Sequence, residues 1–221
     1  MIARTDFEGD SNVGAFGTAT DRFVFVSSNM SEKSLSVIER AFNLPLVQST
    51  VATLDTVGFM TVANSNGILL PYTTKDEELA ELRRYDDLKV DWVESKMTAL
   101  GNIILANDNG AICHPDFDNA AIKKIADVLD VEVIKGTVAK LPIVGANTIA
   151  TNNGAVVHPM TTNQEIEEIS ELLNIHVEVG TVNRGSPYTH LGIIANMDGM
   201  VAGSETTGVE LAHISQVLGL V

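Results

Sequence analysis

The chain has 221 residues, 29 acidic against 14 basic, and a formal net charge of −15. This charge excludes a broad nucleic-acid-binding surface, because phosphate binding needs clustered basic side chains. It indicates either solvated helix faces or a basic protein partner, and the two are compatible. Apolar runs are too short for a membrane helix, the start from Met1 to Asp6 lacks the basic and apolar regions of a signal peptide, and the single Cys113 cannot form an internal disulfide. We therefore expect a cytoplasmic protein without a membrane partner.

An internal repeat organises the chain from end to end. Five alanines that precede polar turns recur every 43 to 45 residues, at Ala19, Ala63, Ala106, Ala150 and Ala195. Glycine lies five positions before the alanine in four copies, at Gly14, Gly58, Gly101 and Gly145, whereas the fifth copy has His190. A regular period of this length predicts stacked copies of one supersecondary unit.

Each copy reads as strand, tight turn, strand, helix and strand. The turn pairs Asn66-Gly67, Asn109-Gly110, Asn153-Gly154 and Asp198-Gly199 predict hairpins with positive φ. Three helix starts fit the capping box, with Thr74 and Glu77, Thr162 and Glu165, and Thr207 and Glu210. Apolar residues at helical spacing follow, for example at Ile166, Ile169 and Leu173. Short alternating segments such as His176–Val179 predict the strand that closes each unit.

The fifth unit lacks its closing strand, because its helix ends near Leu218 at the end of the chain. Residues Ile2 to Thr5 precede the first unit as Glu178 to Thr181 precede the fifth. The N-terminal segment therefore predicts the missing strand, which would close five units into a ring and remove exposed sheet edges. No linker interrupts the chain, so we expect residues 1–221 to form one closed domain.

Five such units resemble the pentein fold, a five-bladed α/β-propeller that hosts both translation initiation factor 6 and guanidino-group-modifying enzymes. Local segments are similar to the initiation factor family, and to its archaeal form, in which the chain ends after the last helix. They are Arg4-Thr5-Asp6-Phe7-Glu8, Ala99-Leu100-Gly101-Asn102, His114-Pro115-Asp116, the run from Gly180 to Ser186, and the run from Glu205 to Leu211. Thr189-His190 depart from the family pattern, which has an apolar residue and glycine there.

The resemblance implies a monomeric, non-enzymatic factor without a cofactor or metal. It would bind a ribosomal protein on the joining face of the large ribosomal subunit and keep the small subunit away by occupying its space. Fold alone does not decide function, and the alternative is a guanidino-modifying hydrolase or amidinotransferase with Cys113 as nucleophile. Cys113 aligns with the apolar Val157 and Ala202, which favours a core position.

Two further patterns have plain structural interpretations. The histidines of His114-Pro115 and His158-Pro159 are too few for a zinc site, which needs three or four ligands, and they fit strand ends stopped by proline. The segment from Gly180 to Ser186 lacks the lysine and the glycine spacing of a P-loop. It fits a connecting loop with a recognition role.

The candidate binding surface lies where the loops that enter each unit cluster. The residues nearest the repeat glycines are uncharged, and they include two aromatics of the kind that anchor interfaces. The resemblance implies ribosome binding for Asn102, and we extend it to Phe59, Asn147 and Tyr188. Phe59 either packs inward or faces solvent, and the sequence leaves both open.

Overall fold

The computed structural model describes residues 1–7, 9–85 and 88–221. Its strands are β1 (Ile2–Thr5), β2 (Gly17–Ala19), β3 (Val24–Val26), β4 (Leu46–Gln48), β5 (Val62–Ala63), β6 (Gly67–Pro71), β7 (Lys89–Val93), β8 (Ile104–Ala106), β9 (Gly110–Cys113), β10 (Glu132–Lys135), β11 (Thr148–Ala150), β12 (Gly154–Val157), β13 (His176–Val179), β14 (Ile193–Ala195) and β15 (Met200–Gly203). Its α-helices are α1 (Glu32–Phe42), α2 (Val57–Met60), α3 (Asp76–Leu82), α4 (Leu100–Ile103), α5 (Asn119–Leu129), α6 (Asn163–Leu173) and α7 (Gly208–Val217). Short 3-10 helices cover Val13–Ala15 and His190–Gly192. Glu8, which ends the N-terminal segment of the resemblance, lies outside the described residues.

The strands of the described part of the chain form five sheets of three strands each. In each sheet an inner strand pairs antiparallel with a middle strand, and an outer strand pairs parallel with that middle strand, as β11, β12 and β13 do. Parallel neighbours need a crossover, and a helix such as α6 supplies it between the middle and outer strands. This arrangement confirms the predicted order of strand, strand, helix and strand.

The N-terminal strand completes the fifth sheet. β1 pairs parallel with β15 in a register that runs from Ile2 opposite Met200 to Thr5 opposite Gly203. The inner strands β2, β5, β8, β11 and β14 each contact the next, and β14 contacts β2. The sheets therefore surround a central axis as a ring, which confirms the predicted five-bladed α/β-propeller, or pentein, architecture closed by its N-terminal strand.

The hydrophobic core is divided into five clusters, one between each pair of neighbouring sheets. In the cluster of units 2 and 3, helix α5 packs Ile125 and Leu129 against Leu69 of one sheet and Ala111 of the next. The other four helices that link middle and outer strands fill the remaining gaps in the same way. Each helix thus joins its own sheet to the preceding one, and this explains why its apolar stripe was visible in the sequence.

The capping predictions hold for two of the three helices. Thr162 caps α6 and Thr207 caps α7, each with the glutamate three residues later accepting a hydrogen bond from the cap backbone. The prediction for Thr74 and Glu77 was wrong by one residue, because α3 begins at Asp76 and Glu78 accepts from the backbone N–H of Lys75 at 2.9 Å. The Thr74 hydroxyl instead donates to the carbonyl of Pro71 at 2.7 Å.

The prediction of positive φ at the turn glycines was also wrong, since Gly67, Gly110, Gly154 and Gly199 are absent from the positive-φ residues. Close approach requires glycine there instead. A Cβ on Gly154, for example, would lie 2.1 Å from the carbonyl oxygen of Val217 at the end of a packed helix. These turns are therefore contact points between units, and any side chain would push the units apart.

Candidate functional site

We call the end of the ring where the inner strands begin the entry end, and the opposite end, with the polar turns, the turn end. At the entry end, four repeat glycines pack around the axis. A Cβ on Gly58 would lie 1.9 Å from the carbonyl oxygen of Gly14, and one on Gly101 would lie 2.0 Å from that of Gly58. Gly145 meets Gly101 in the same way. The sequence repeat thus marks positions where backbone touches backbone, and this fixes the geometry of the surrounding loops.

Thr189 and His190, which depart from the family pattern, complete this inner circle. The fully buried Thr189 donates its hydroxyl to the carbonyl of Val156 at 2.8 Å and accepts from the N–H of Ile149 at 3.0 Å. The carbonyl of His190 occupies the place that a Cβ on Gly14 would need. Burial lowers the pKa of His190 below its ordinary value of 6.5, against a backbone hydrogen bond with Gly58 that raises it. The fifth entry is therefore held by buried polar contacts, which the sequence did not predict.

Three of the four predicted site residues reach the entry surface. Tyr188 is exposed, with 39% of its surface accessible, and it lies just before the 3-10 helix at His190–Gly192. Phe59 on α2 and Asn102 on α4 are partly buried. The two alternatives for Phe59 thus resolve to an intermediate position, neither in the core nor fully in solvent.

Asn147 lies inside the ring rather than on its surface, because its exposed fraction is 0%. Its side-chain amide donates to the carbonyl of Val138 at 3.2 Å and so supports the loop that enters the fourth unit. A direct contact between this side chain and a partner would require the loop to open. The repeat carried a signal for this burial, since Asn147 aligns with Met60 and Ile103, which are apolar and buried.

Backbone contacts connect the predicted residues around the axis. The carbonyl of Asn102 accepts from the N–H of Ala146 at 3.1 Å, and the carbonyl oxygen of Asn147 lies 3.3 Å from the hydroxyl oxygen of Thr189. The packing of Gly101 on Gly58 brings α4 beside α2, which carries Phe59. The structure therefore gathers all four predicted positions at one end of the ring, as the repeat implied.

Unsatisfied acceptors also gather at this end. Within the residues that the structure describes, the Oδ1 atoms of Asn102 and Asn147 are buried without a hydrogen-bond partner. A buried acceptor left unpaired costs about 1–3 kcal/mol, and such groups in a native fold call for an explanation. Both oxygens are closed off from the surface, so a partner would reach them only if the entry loops moved.

The turn end differs in charge. Asn152 donates to the carboxylates of Asp21 at 2.6 Å and Asp108 at 2.7 Å, which places two acidic groups close together near the axis. The entry end has the uncharged Phe59, Asn102 and Tyr188. Acidic groups repel phosphate, whereas uncharged and partly apolar side chains such as these three suit contact with another protein.

The central cavity between the two ends is small, at about 50 Å³. Small inner-strand side chains such as Ala19, Ala63 and Ala106 line it, together with His190 and Thr148. This volume holds a few water molecules and falls far below the ~300 Å³ of a typical ligand pocket.

Three glutamates fasten the entry loops to the helices of their own units. Glu78, Glu165 and Glu210 occupy the third helical position of α3, α6 and α7, and each accepts hydrogen bonds from the preceding entry loop. For Glu210, burial alone would raise the pKa, but hydrogen bonds from Thr207, Gly185 and Thr181 lower it from 4.5 to about 2. Hydrogen bonds likewise outweigh burial at Glu78 and Glu165 and lower the pKa of both. The entry loops of units 2, 4 and 5 are therefore held in place by ionised carboxylates.

Cys113 lies in the core and has no exposed surface. Burial raises the pKa of its thiol to about 11, with the charge of Lys135 acting in the opposite direction. The thiol is therefore protonated at neutral pH, whereas a nucleophilic cysteine needs a lowered pKa and access to solvent.

The neighbouring His114 accepts a hydrogen bond from the N–H of Asp116 at 3.1 Å through Nδ1, and His158 accepts one from the N–H of Met160 in the same way. Both histidines thus stabilise the turns that follow their strands.

The described ranges contain no group of three or more histidine, cysteine or acidic residues arranged to hold a metal ion. In the same ranges, every helix falls short of the length and apolarity that crossing a bilayer requires.

Comparison with known proteins places this geometry in a family. Residues 2–217 match the model of the eIF-6 family. Translation initiation factor 6 of Pyrococcus furiosus is 43% identical over 225 residues, covering 100% of this chain and 99% of that protein. Eukaryotic translation initiation factor 6 of Emericella nidulans is 38% identical over 224 residues, covering 100% of this chain and 91% of that protein. Among solved structures, DDAH of Pseudomonas aeruginosa complexed with citrulline is similar at a TM-score of 0.49 and 13% identity, over 76% of this chain and 69% of that one.

Proposed function

The chain belongs to the eIF-6 family, and the relatives to which it is similar are translation initiation factors. We therefore propose that it binds the large ribosomal subunit and prevents premature joining of the small subunit. The match over residues 2–217 is the observation that carries this proposal. The mechanism is steric: the bound ring occupies space that the small subunit needs. It acts as a monomer in the cytoplasm and without catalysis, and residues 1–221 work as one closed domain.

The proposed contact surface is the entry end, with Tyr188, Phe59 and Asn102 meeting a ribosomal protein on the joining face. Tyr188 offers an exposed aromatic anchor, and aromatic side chains dominate many interface centres. Asn147 supports this surface from within, through its hydrogen bond to Val138. The rigid glycine packing beneath the loops lowers the entropy that would be lost on binding.

Charge also supports contact with protein rather than RNA. A net charge of −15 opposes close approach to ribosomal RNA phosphates, and the acidic turn end opposes it most. Phosphate-driven binding loses orders of magnitude in affinity between about 50 and 200 mM salt. Binding through the uncharged side chains of Phe59, Asn102 and Tyr188 has a much shallower salt dependence.

The test is co-sedimentation with purified large subunits at several salt concentrations. Tyr188→Glu is compared with Met197→Glu, because both residues are 39% exposed and they lie at opposite ends of the ring. Asn102→Arg adds a bulky charge to the proposed surface. We expect Tyr188→Glu and Asn102→Arg to weaken large-subunit binding, while Met197→Glu matches the wild type and circular dichroism shows all three folded. Full affinity in both entry-end variants, together with a steep salt dependence, would show that the contact lies elsewhere and involves RNA.

A further inference from the structure

The third unit breaks the pattern of the entry loops. In the other four units the loop closes with one backbone bridge, formed by two hydrogen bonds, between Phe7 and Asp10, Val51 and Leu54, Val138 and Leu141, and Val182 and Ser186. The corresponding connection, 94–99, is fully described and has no such bridge. It is also one residue shorter than the connections 50–56 and 137–143.

The glutamate that fastens other entry loops is also missing from this unit. Ala121 occupies the third helical position of α5, where α3, α6 and α7 have Glu78, Glu165 and Glu210. The first unit has Ser34 at this position in α1 but keeps its bridged loop. The third unit alone therefore combines a short side chain on the helix with an unbridged loop among the residues described.

A groove of about 950 Å³ opens at this place, between the end of β7, the connection 94–97 and the start of α5. The buried Val93 and Phe117 form part of its floor. Two large aromatic side chains lie at its surface, Tyr72 with 51% and Trp92 with 39% of their area exposed. Exposed aromatic rings that line a groove with an apolar floor are a feature of binding surfaces rather than of an inert surface.

The groove is acidic as well as aromatic. Four carboxylates line it, those of Asp91, Glu94, Asp116 and Asp118, against the ammonium groups of Lys96 and Lys124. Lys124 is already paired with Asp91 at 2.7 Å, and Asp118 caps α5 by accepting from the N–H of Ala121. Among the described residues, the exposed carboxylates of Glu94 and Asp116 have no ion pair or hydrogen bond. The groove therefore contains two carboxylates without a partner in the described part of the chain, together with the two exposed aromatic rings.

We propose that this groove binds an extended, arginine- or lysine-rich segment of a partner protein. A guanidinium stacks on the face of a tryptophan or tyrosine by a cation–π interaction, and its N–H groups form charge-assisted hydrogen bonds with carboxylates. Trp92 and Tyr72 supply the rings, and Glu94 and Asp116 supply the carboxylates. The dipole of α5 disfavours a cation near its N-terminus, and the capping carboxylate of Asp118 offsets this. None of the four proposed ribosome contacts lines this groove, so the proposal does not depend on them.

The sequence provides a built-in reporter, because Trp92 is the sole tryptophan of the chain. The probe is a decapeptide of alternating arginine and glycine whose two ends are blocked and uncharged. It is added to the protein at about 0.15 M salt, where long-range electrostatic attraction is screened. A glutamate–glycine decapeptide and an oligouridylate of similar length are the comparison ligands. We expect a saturable change in Trp92 emission with the arginine peptide and none with the glutamate peptide.

A matched pair of variants separates the groove from general acidity. Glu94→Gln with Asp116→Asn removes two groove carboxylates, and Glu167→Gln with Glu171→Gln removes two exposed carboxylates from α6. We expect the groove variant to bind the arginine peptide at least about fivefold more weakly and the α6 variant to change by less than about twofold. Unchanged Trp92 emission, equal weakening in both variants, or tighter binding of the oligouridylate than of the peptide would each overturn the proposal.

Discussion

Glu210 connects the fifth entry loop to α7, and its contacts set the size of the stability loss that we predict for its substitution. Its carboxylate accepts from the N–H and hydroxyl of Thr207 on the helix, both at 2.8 Å, and from the N–H of Gly185 and hydroxyl of Thr181 on the loop, also at 2.8 Å. The loop includes Arg184 with φ of 61° and Gly185 with φ of 97°. Glu210→Gln removes the charge and one acceptor oxygen while keeping the volume.

The pKa of Glu210, about 2 against an ordinary 4.5, sets a ceiling of about 3 kcal/mol on the stabilisation. Solvent access on the loop side reduces the expected loss to about 2 kcal/mol. Because the folded-state pKa is the lower one, this stabilisation is complete above pH 4.5 and is lost as the pH falls toward 2. The difference between wild type and variant should therefore be constant from about pH 6 to 8 and fall below half of that at pH 3.

Urea unfolding, followed by circular dichroism at pH 3, 4, 6 and 8, measures this difference. Glu171→Gln, at an exposed position of α6, is the control and should change the free energy of unfolding by less than about 0.5 kcal/mol. A Glu210→Gln protein as stable as the wild type at pH 7, or a difference that does not decrease at pH 3, would refute the reasoning.

Three further predictions concern closure, packing and the thiol. Deleting residues 1–5 removes the pairing of β1 with β15 and should lower the melting temperature by about 10 °C; an unchanged value in calorimetry would contradict closure by this strand. Gly58→Ala places a Cβ 1.9 Å from the carbonyl oxygen of Gly14 and should destabilise by about 3 kcal/mol, whereas Gly208→Ala, with nothing within 4 Å, should be nearly neutral in the same urea titration. Cys113→Ala should cost about 1–2 kcal/mol and leave large-subunit binding intact, and the wild-type thiol should react with a disulfide reagent only after unfolding, because burial raises its pKa to about 11. Cysteine-dependent turnover of arginine or agmatine would overturn this interpretation of Cys113.

The fold could be predicted where the sequence repeats a local rule. The spacing of the alanines and the caps at Thr162 and Thr207 each report an interaction within one unit, so they appear in the sequence with a fixed period. The wrong cap prediction at Thr74 shows the limit of this approach. The N-cap of α3 is Lys75, and the Thr74 hydroxyl donates a hydrogen bond to the carbonyl of Pro71 instead.

Contacts between units were harder to predict. The turn glycines suggested positive φ, whereas their true requirement is the approach of a helix end from the next unit, as at Gly154. The contacts of the Asn147 side chain and of the Thr189 hydroxyl likewise depend on neighbours about 10 to 40 residues away. The groove beside Trp92 could not be predicted from the sequence. It lies where the third unit lacks the loop bridge and the helix glutamate of other units, and no sequence motif marks it.

The pairing of β1 with β15 has a consequence for how the chain folds during its own synthesis. The two strands are separated by about 200 residues, the longest loop closure in the ring, and such distant pairing is slow to form. A growing chain exposes β1 first and β15 almost last, so β1 stays without its partner strand while four units assemble behind it. Its partner strand becomes available only when synthesis is nearly finished. A chain that ended prematurely would therefore remain an open arc of units with two free ends, and it would not close into a smaller ring.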